Sequence, residues 1–186
     1  AMNGSLFAML LYFTLYLQEV LGYSALQTGL RLAVITGATL FTAIPAGRLS
    51  ARVPVRWLIG PGLLMVGAGL LLMRGLDASS DWTHLIPGFL VAGLGSGLVN
   101  PPLASTAVGV VEPRQAGMAS GINSTFRQVG IATSVAALGS IRATHTAGKT
   151  GPAAAAAFVS GLNELLLIAG ILALVGGIAS LAVMIA

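Results

Sequence analysis

Arg127 stands inside a long apolar stretch, in the run Asn123-Ser124-Thr125-Phe126-Arg127-Gln128. If its helix starts near Arg114, it lies about 20 Å along the axis at about 1.5 Å per residue. That is deep within any bilayer such a helix crosses. A guanidinium at this depth costs about 3 kcal/mol or more if it faces hydrocarbon. Two roles remain: lining a wet cavity, or acting as a structural hub that hydrogen-bonds backbone carbonyls. Ser120, Asn123, Ser124, Arg127 and Ser134 recur at helical spacing and form one polar stripe on one face. Asn100, in the preceding apolar stretch, can face the same interior. Glu19, in Tyr16-Leu17-Gln18-Glu19, is open to two readings. A membrane-embedded glutamate can carry a proton, and a glutamate near a span end can be interfacial. Glu164 reads as interfacial.

Other chemistry finds no support in the residues. The two histidines, His84 and His145, fall at or beyond the ends of the apolar stretches, so no nucleophile–base pair forms within a bilayer. No His/Asp/Glu group has metal-ligand spacing. Gly93-Leu94-Gly95-Ser96-Gly97 is not a phosphate loop, because no strand precedes it and no Gly-Lys-Ser/Thr follows. Neither catalytic residues, nor a metal, nor a cofactor are expected. The net charge of +4 comes from scattered basic residues, which excludes nucleic acid as a partner. Without cysteine there is no disulfide framework.

The elements that must carry these residues are spanning helices. The chain is 56% hydrophobic and 8% charged with a mean hydropathy of +0.93, against roughly 25% charged residues in soluble domains. Its partner is the lipid bilayer. Six stretches reach the roughly 20 apolar residues that a span needs: about 4–21, 28–46, 57–74, 85–108, 114–141 and 158–186. The stretches lack period-2 alternation, which excludes a β-barrel, and the linking segments are too short and uncharged to form a soluble surface. Residues 1–186 therefore form a single six-helix transmembrane domain. Ala1-Met2-Asn3-Gly4 runs into an apolar stretch without a basic leader region, which suggests a fragment boundary. Gly93 and Gly97, and likewise Gly117 and Gly121, stand four apart, the pattern of close helix packing in lipid. Pro45 and Pro101-Pro102 either kink or locally unwind their spans, or are tolerated by neighbouring helices.

Arg48, Arg52 and Arg56 cluster between the second and third spans, with Arg114 on the same side; Arg74, Arg142 and Lys149 fall on the other. The lysine and arginine counts nearly balance, and the tight arginine cluster favours that side as cytoplasmic. Ser50 is then inside and Ser79 outside.

Several stretches carry a family resemblance. Tyr16-Leu17-Gln18 with Leu21-Gly22-Tyr23-Ser24-Ala25-Leu26-Gln27-Thr28-Gly29-Leu30 is one. Gly95-Ser96-Gly97-Leu98-Val99-Asn100-Pro101-Pro102 is another, and Gly117-Met118-Ala119-Ser120-Gly121-Ile122-Asn123 with Arg127-Gln128-Val129-Gly130 a third. Together the chain resembles the C-terminal half of major facilitator superfamily transporters, in the fourteen-span drug:proton antiporter branch. Gly47-Arg48-Leu49-Ser50-Ala51-Arg52-Val53-Pro54-Val55-Arg56 resembles the superfamily's cytoplasmic signature. Ala51 replaces its aspartate and Pro54 its glycine, so Gly47, Arg48, Arg52 and Arg56 supply basic anchors without the acidic latch.

The resemblance implies an all-α fold, half of a 3+3 inverted-repeat transporter working by alternating access in a bacterial cytoplasmic membrane. It implies that the first, second, fourth and fifth helices line a cavity and that the third and sixth face lipid. Cavity candidates are then Tyr12, Tyr16, Gln18, Asn100, Asn123 and Arg127, and Glu19 is the proton-linked candidate. The partners implied are an N-terminal transporter half, protons, and a drug or other amphiphilic substrate. A half serving another small-molecule substrate, or a non-transporting membrane scaffold, is the alternative.

Overall fold

The computed structural model describes residues 2–77, 81–109, 112–146 and 152–183. Ser79 and Lys149 lie outside the described residues. The described chain is helical, without a strand. Helix α1 (Met2–Leu15) continues into a π-helical turn (Tyr16–Val20), and α2 (Ala25–Leu49) and α3 (Arg56–Leu72) follow. A 3-10 turn (Trp82–Leu85) leads into α4 (Ile86–Gly109), and a second (Pro113–Gln115) into α5 (Ala116–Thr146). Helix α6 (Pro152–Val183) completes the bundle.

Local chemistry fixes the helix ends. Gly22 takes φ 71°, a left-handed turn open to glycine. Ser24 then caps α2: its Oγ accepts from Gln27 N at 3.3 Å, while Gln27 Oε1 accepts from Ser24 N at 3.2 Å. Helix α2 therefore starts at Ala25, three residues before the expected span. Helix α6 starts six residues early, because Pro152 suits a first helical position and Ala153 to Ala157 are strong helix formers. Neither Pro45 nor Pro101-Pro102 ends its helix; α2 and α4 run through them.

Among the described residues, three helical stretches are long and apolar enough to cross a bilayer: Ala25–Leu49, Trp82–Thr106 and Ala155–Ala182. Arg56–Leu72 is apolar but shorter. The α-helical part of α1 is cut to 14 residues by the π-turn. In α5 the polar stripe itself dilutes the apolar content.

The core lies between α1, α3, α4 and α6. Phe13 meets Phe89 edge-on at 5.0 Å and 83°, and Val66, Leu70, Leu162 and Leu166 close around them. The four-apart glycines behave differently on the two helices. A Cβ at Gly93 would stand 2.6 Å from the Ile35 carbonyl oxygen, and one at Gly97 would collide with Thr42 and the Thr39 carbonyl, so α4 lies backbone-to-backbone on α2. Thr42 Oγ1 donates across the same seam to the Leu94 carbonyl at 2.9 Å. Gly117 and Gly121 have nothing within 4 Å, so the packing expected of them is not found among the described residues. Helix α6 exposes an apolar face through Ile171, Leu172, Val175 and Ile178. Helix α3 departs from the expected lipid-facing role. It is wedged between α4 and α6 and buries Leu58, Ile59, Val66 and Leu70, leaving Trp57 and Leu72 as its exposed large residues.

Candidate substrate-facing surface

The first half of α5 is amphipathic and open on both faces. Ser120, Ser124, Arg127 and Gln128 are exposed on the polar stripe, with Asn123 and Ser134 half-buried beside them. At about 100° per residue, Met118, Ile122, Phe126 and Val129 project from the opposite side, and all four are exposed. No described residue hydrogen-bonds the Arg127 guanidinium or forms an ion pair with it. The hub role therefore has no carbonyl partner here, and the stripe is left facing outward from the six helices.

Asn100 is half-buried on α4 and turned back on its own helix. Its Nδ2 donates to the Ser96 carbonyl at 3.0 Å and to Ser96 Oγ at 2.9 Å. Its side-chain oxygen is the part left for other contacts.

The two tyrosines stand elsewhere. Tyr12 is 4% exposed and tilted against Phe158, ring centroids 6.3 Å apart. Tyr16 is fully buried and its hydroxyl donates to the Asp77 carbonyl at 3.1 Å. Both belong to the α1–α6 core, and neither lies on the open surface that α5 and α2 present. Periodicity alone could not separate an inward aromatic that packs from one that lines. Gln18 and Glu19 follow in the π-turn, both exposed, at the end of the first helix.

The arginine loop is tightly wound. Arg52 N and Val53 N both donate to the Leu49 carbonyl at 2.9 Å, and Ser50 Oγ donates to the Gly47 carbonyl at 2.8 Å. Arg48 lies in the last turn of α2, where a cation complements the helix dipole. Arg48 and Arg52, both exposed, edge an open groove of about 590 Å³ with Ile44, Pro45, Leu49 and Ala51. Arg56 begins α3 and is half-buried. Gly47 faces Pro101 across the α2–α4 seam, where an added Cβ would sit 3.8 Å from the proline Cβ.

Two clusters were not evident from sequence. The Arg31 guanidinium carbon lies 3.7 Å above the Tyr23 ring centroid and 5.1 Å from that of Trp82. Its Nη1 also donates to the Gln27 carbonyl at 3.0 Å. Asn163 of α6 clasps the segment after α3 through Gly75 and Leu76. The partners lie 51 and 87 residues apart in the chain, so no local spacing announces them.

Comparison with known proteins agrees with this architecture. A family model described as Major Facilitator Superfamily matches residues 1–135. The chain is 36% identical over 146 residues to the puromycin resistance protein pur8 of Streptomyces alboniger, covering 76% of this chain and 29% of that protein. It is 34% identical over 139 residues to the multidrug resistance protein Stp of Mycobacterium tuberculosis, covering 75% and 26%. It is 35% identical over 142 residues to the cephamycin export protein CmcT of Amycolatopsis lactamdurans, covering 74% and 29%. The matched region thus spans under a third of each of these relatives.

Proposed function

From the premise that this chain belongs to the Major Facilitator Superfamily, and is therefore an integral, multi-pass membrane protein, we propose that it forms the C-terminal six-helix half of a proton-coupled exporter. It serves drugs or other amphiphilic compounds by alternating access in a bacterial cytoplasmic membrane. The observation that supports this most is the open polar stripe of α5, with Arg127 near mid-helix and an apolar face behind it. A charged stripe at that depth is tolerated where it borders water or a partner. A second half closing over it would create such a wet space. Relatives named for puromycin resistance, multidrug resistance and cephamycin export supply the substrate direction.

Proton coupling is assigned to the pair of halves. None of the five acidic residues lies at the middle of a helix that could line the cavity. Glu19, in the exposed π-turn, is the candidate closest to such a role. The test is co-expression in a drug-sensitive host. The six helices alone confer no resistance, and adding an N-terminal half confers resistance that a protonophore abolishes. Resistance from the six helices alone sinks the half-transporter reading. No resistance from the complete pair leaves the non-transporting scaffold.

A further inference from the structure

The chain's acidic residues are Glu19, Asp77, Asp81, Glu112 and Glu164, and none of them stands on α2, α4 or α5. Helix α4 carries no charge, and α2 and α5 carry arginines instead: Arg31, Arg48, Arg127 and Arg142. Arg31 is stacked between two rings, and Arg48 sits in the last turn of α2. Arg142 lies near the end of α5. That leaves Arg127 as the charge near the middle of the open stripe.

Its surroundings add donors and no counter-charge. Ser120 and Ser124 are exposed beside it on the same face, with the Asn123 amide half-buried between them. A guanidinium presents five N–H donors and no acceptor, in a fork that matches a carboxylate or a phenolate–carbonyl pair. Where a second half closes over the stripe the local dielectric falls, so like-charge repulsion there exceeds its value in bulk water. Such a surface attracts oxygen anions and disfavours organic cations.

We propose that Arg127 selects amphiphilic substrates that carry a carboxylate or phenolate oxygen, and that this half of the cavity discriminates against organic cations. The inference rests on the transporter reading above, which leaves the charge of the substrate open. The specificity comes from the Arg127 guanidinium and the neutral donors beside it on α5; the acid of the first span, Glu19, lies in the π-turn that ends that helix and not on the stripe.

The experiment compares two dyes built on one ring system. The complete transporter, reconstituted in proteoliposomes under a proton gradient, is offered fluorescein, a carboxylate and phenolate, or rhodamine 6G, an esterified cation. Wild type is expected to move fluorescein with a kcat/KM at least about ten-fold higher, the scale of one charge-assisted hydrogen bond. Arg127→Gln should remove about ten-fold of fluorescein transport and leave rhodamine 6G unchanged or improved. Arg127→Lys, which keeps the charge and loses the fork, should retain part of the preference, and Arg127→Glu should invert it. Preferential export of rhodamine 6G by wild type, or a fluorescein preference that survives Arg127→Gln, overturns the inference and leaves the transporter reading standing. Equal loss of both dyes in Arg127→Gln overturns it too, because the guanidinium then pairs with a carboxylate elsewhere in the transporter. A wild type that exports neither dye overturns the inference, and the resistance assay above decides the transporter reading separately.

Discussion

Asn163 and Leu76 hold each other by two hydrogen bonds: Leu76 N donates to Asn163 Oδ1 at 3.1 Å, and Asn163 Nδ2 donates to the Leu76 carbonyl at 2.8 Å. Gly75 N donates to the same Oδ1 at 2.9 Å, from a backbone turned to φ 83°. One side-chain amide of α6 thereby takes over backbone groups that have left the α3 ladder, and it seats the Leu76 side chain, 2% exposed, in the core. At about 0.6–1 kcal/mol net per bond, Asn163→Ala should destabilise the protein by about 2 kcal/mol. Asn163→Asp, which keeps the acceptor and loses the donor, should fall between. Thermal unfolding in detergent measures both, and an alanine variant that melts like wild type would show that the clasp contributes nothing.

The α2–α4 seam and the open face of α5 make a matched pair of glycine tests. Adding side-chain atoms at Gly93 drives them into the Ile35 carbonyl oxygen, 2.6 Å from the first added carbon, and into Ala38 at 2.8 Å. Backbone cannot give way as a flexible side chain can, so Gly93→Val should cost about 3 kcal/mol or more and sharply reduce accumulation in the membrane. Gly121 has nothing within 4 Å, so Gly121→Val should stay within about 0.5 kcal/mol in the six-helix chain. If Gly121→Val is harmless in the six helices yet destabilises the complete transporter, the other half packs there. Equal tolerance at both positions would contradict the close approach at Gly93.

The two glycine pairs also show what sequence can disclose. Spacing of four marks a small face, and it does so equally on α4 and α5. Only the partner helix distinguishes a packed face from an open one, and among the described residues that partner is found for the α4 pair and not for the α5 pair. Ala25–Leu49, Trp82–Thr106 and Ala155–Ala182 were legible as spans because apolar length is a local property. The family was legible because several short stretches agreed. The stripe of Ser120, Ser124 and Arg127 was legible from its period, and the structure leaves it exposed as one face. Tyr12 and Tyr16 were not separable from cavity residues, since an aromatic that buries its ring against Phe158 reads the same as one that greets a substrate. The Arg31 stack and the Asn163 clasp depend on residues brought together by tertiary packing, which no local pattern contains.

Orientation can be read with single cysteines, since the chain contains none. Ala51 is exposed in the arginine loop and Thr83 is exposed in the turn before α4. The lysine and arginine distribution puts the former inside. In intact cells an impermeant maleimide should label Thr83→Cys and spare Ala51→Cys, and the second should react once the membrane is opened. The opposite pattern reverses the topology and places the open groove beside Arg48 and Arg52 outside the cell.

The stacking of Arg31 between Tyr23 and Trp82 links the segment before α2 to the turn that starts α4, and it can be observed directly. The guanidinium carbon lies 3.7 Å from one ring centroid and 5.1 Å from the other, within the range at which a desolvated cation–π contact contributes about 1–2 kcal/mol. Arg31→Ala should therefore destabilise by about that amount. Arg31→Lys should recover only part, because an ammonium keeps the charge and loses the planar stack. A readout independent of overall stability comes from fluorescence. The chain has two tryptophans, Trp57 and Trp82, and Trp57 is already 60% exposed, so Trp57→Phe leaves Trp82 as the reporter with little disturbance. In that background Arg31→Ala should raise the acrylamide quenching of Trp82, whose half-buried ring loses its cover, and Arg31→Lys should raise it less. Quenching that is identical with and without the arginine would mean that Trp82 is held by the α4 turn alone and that the stack does not join the two segments.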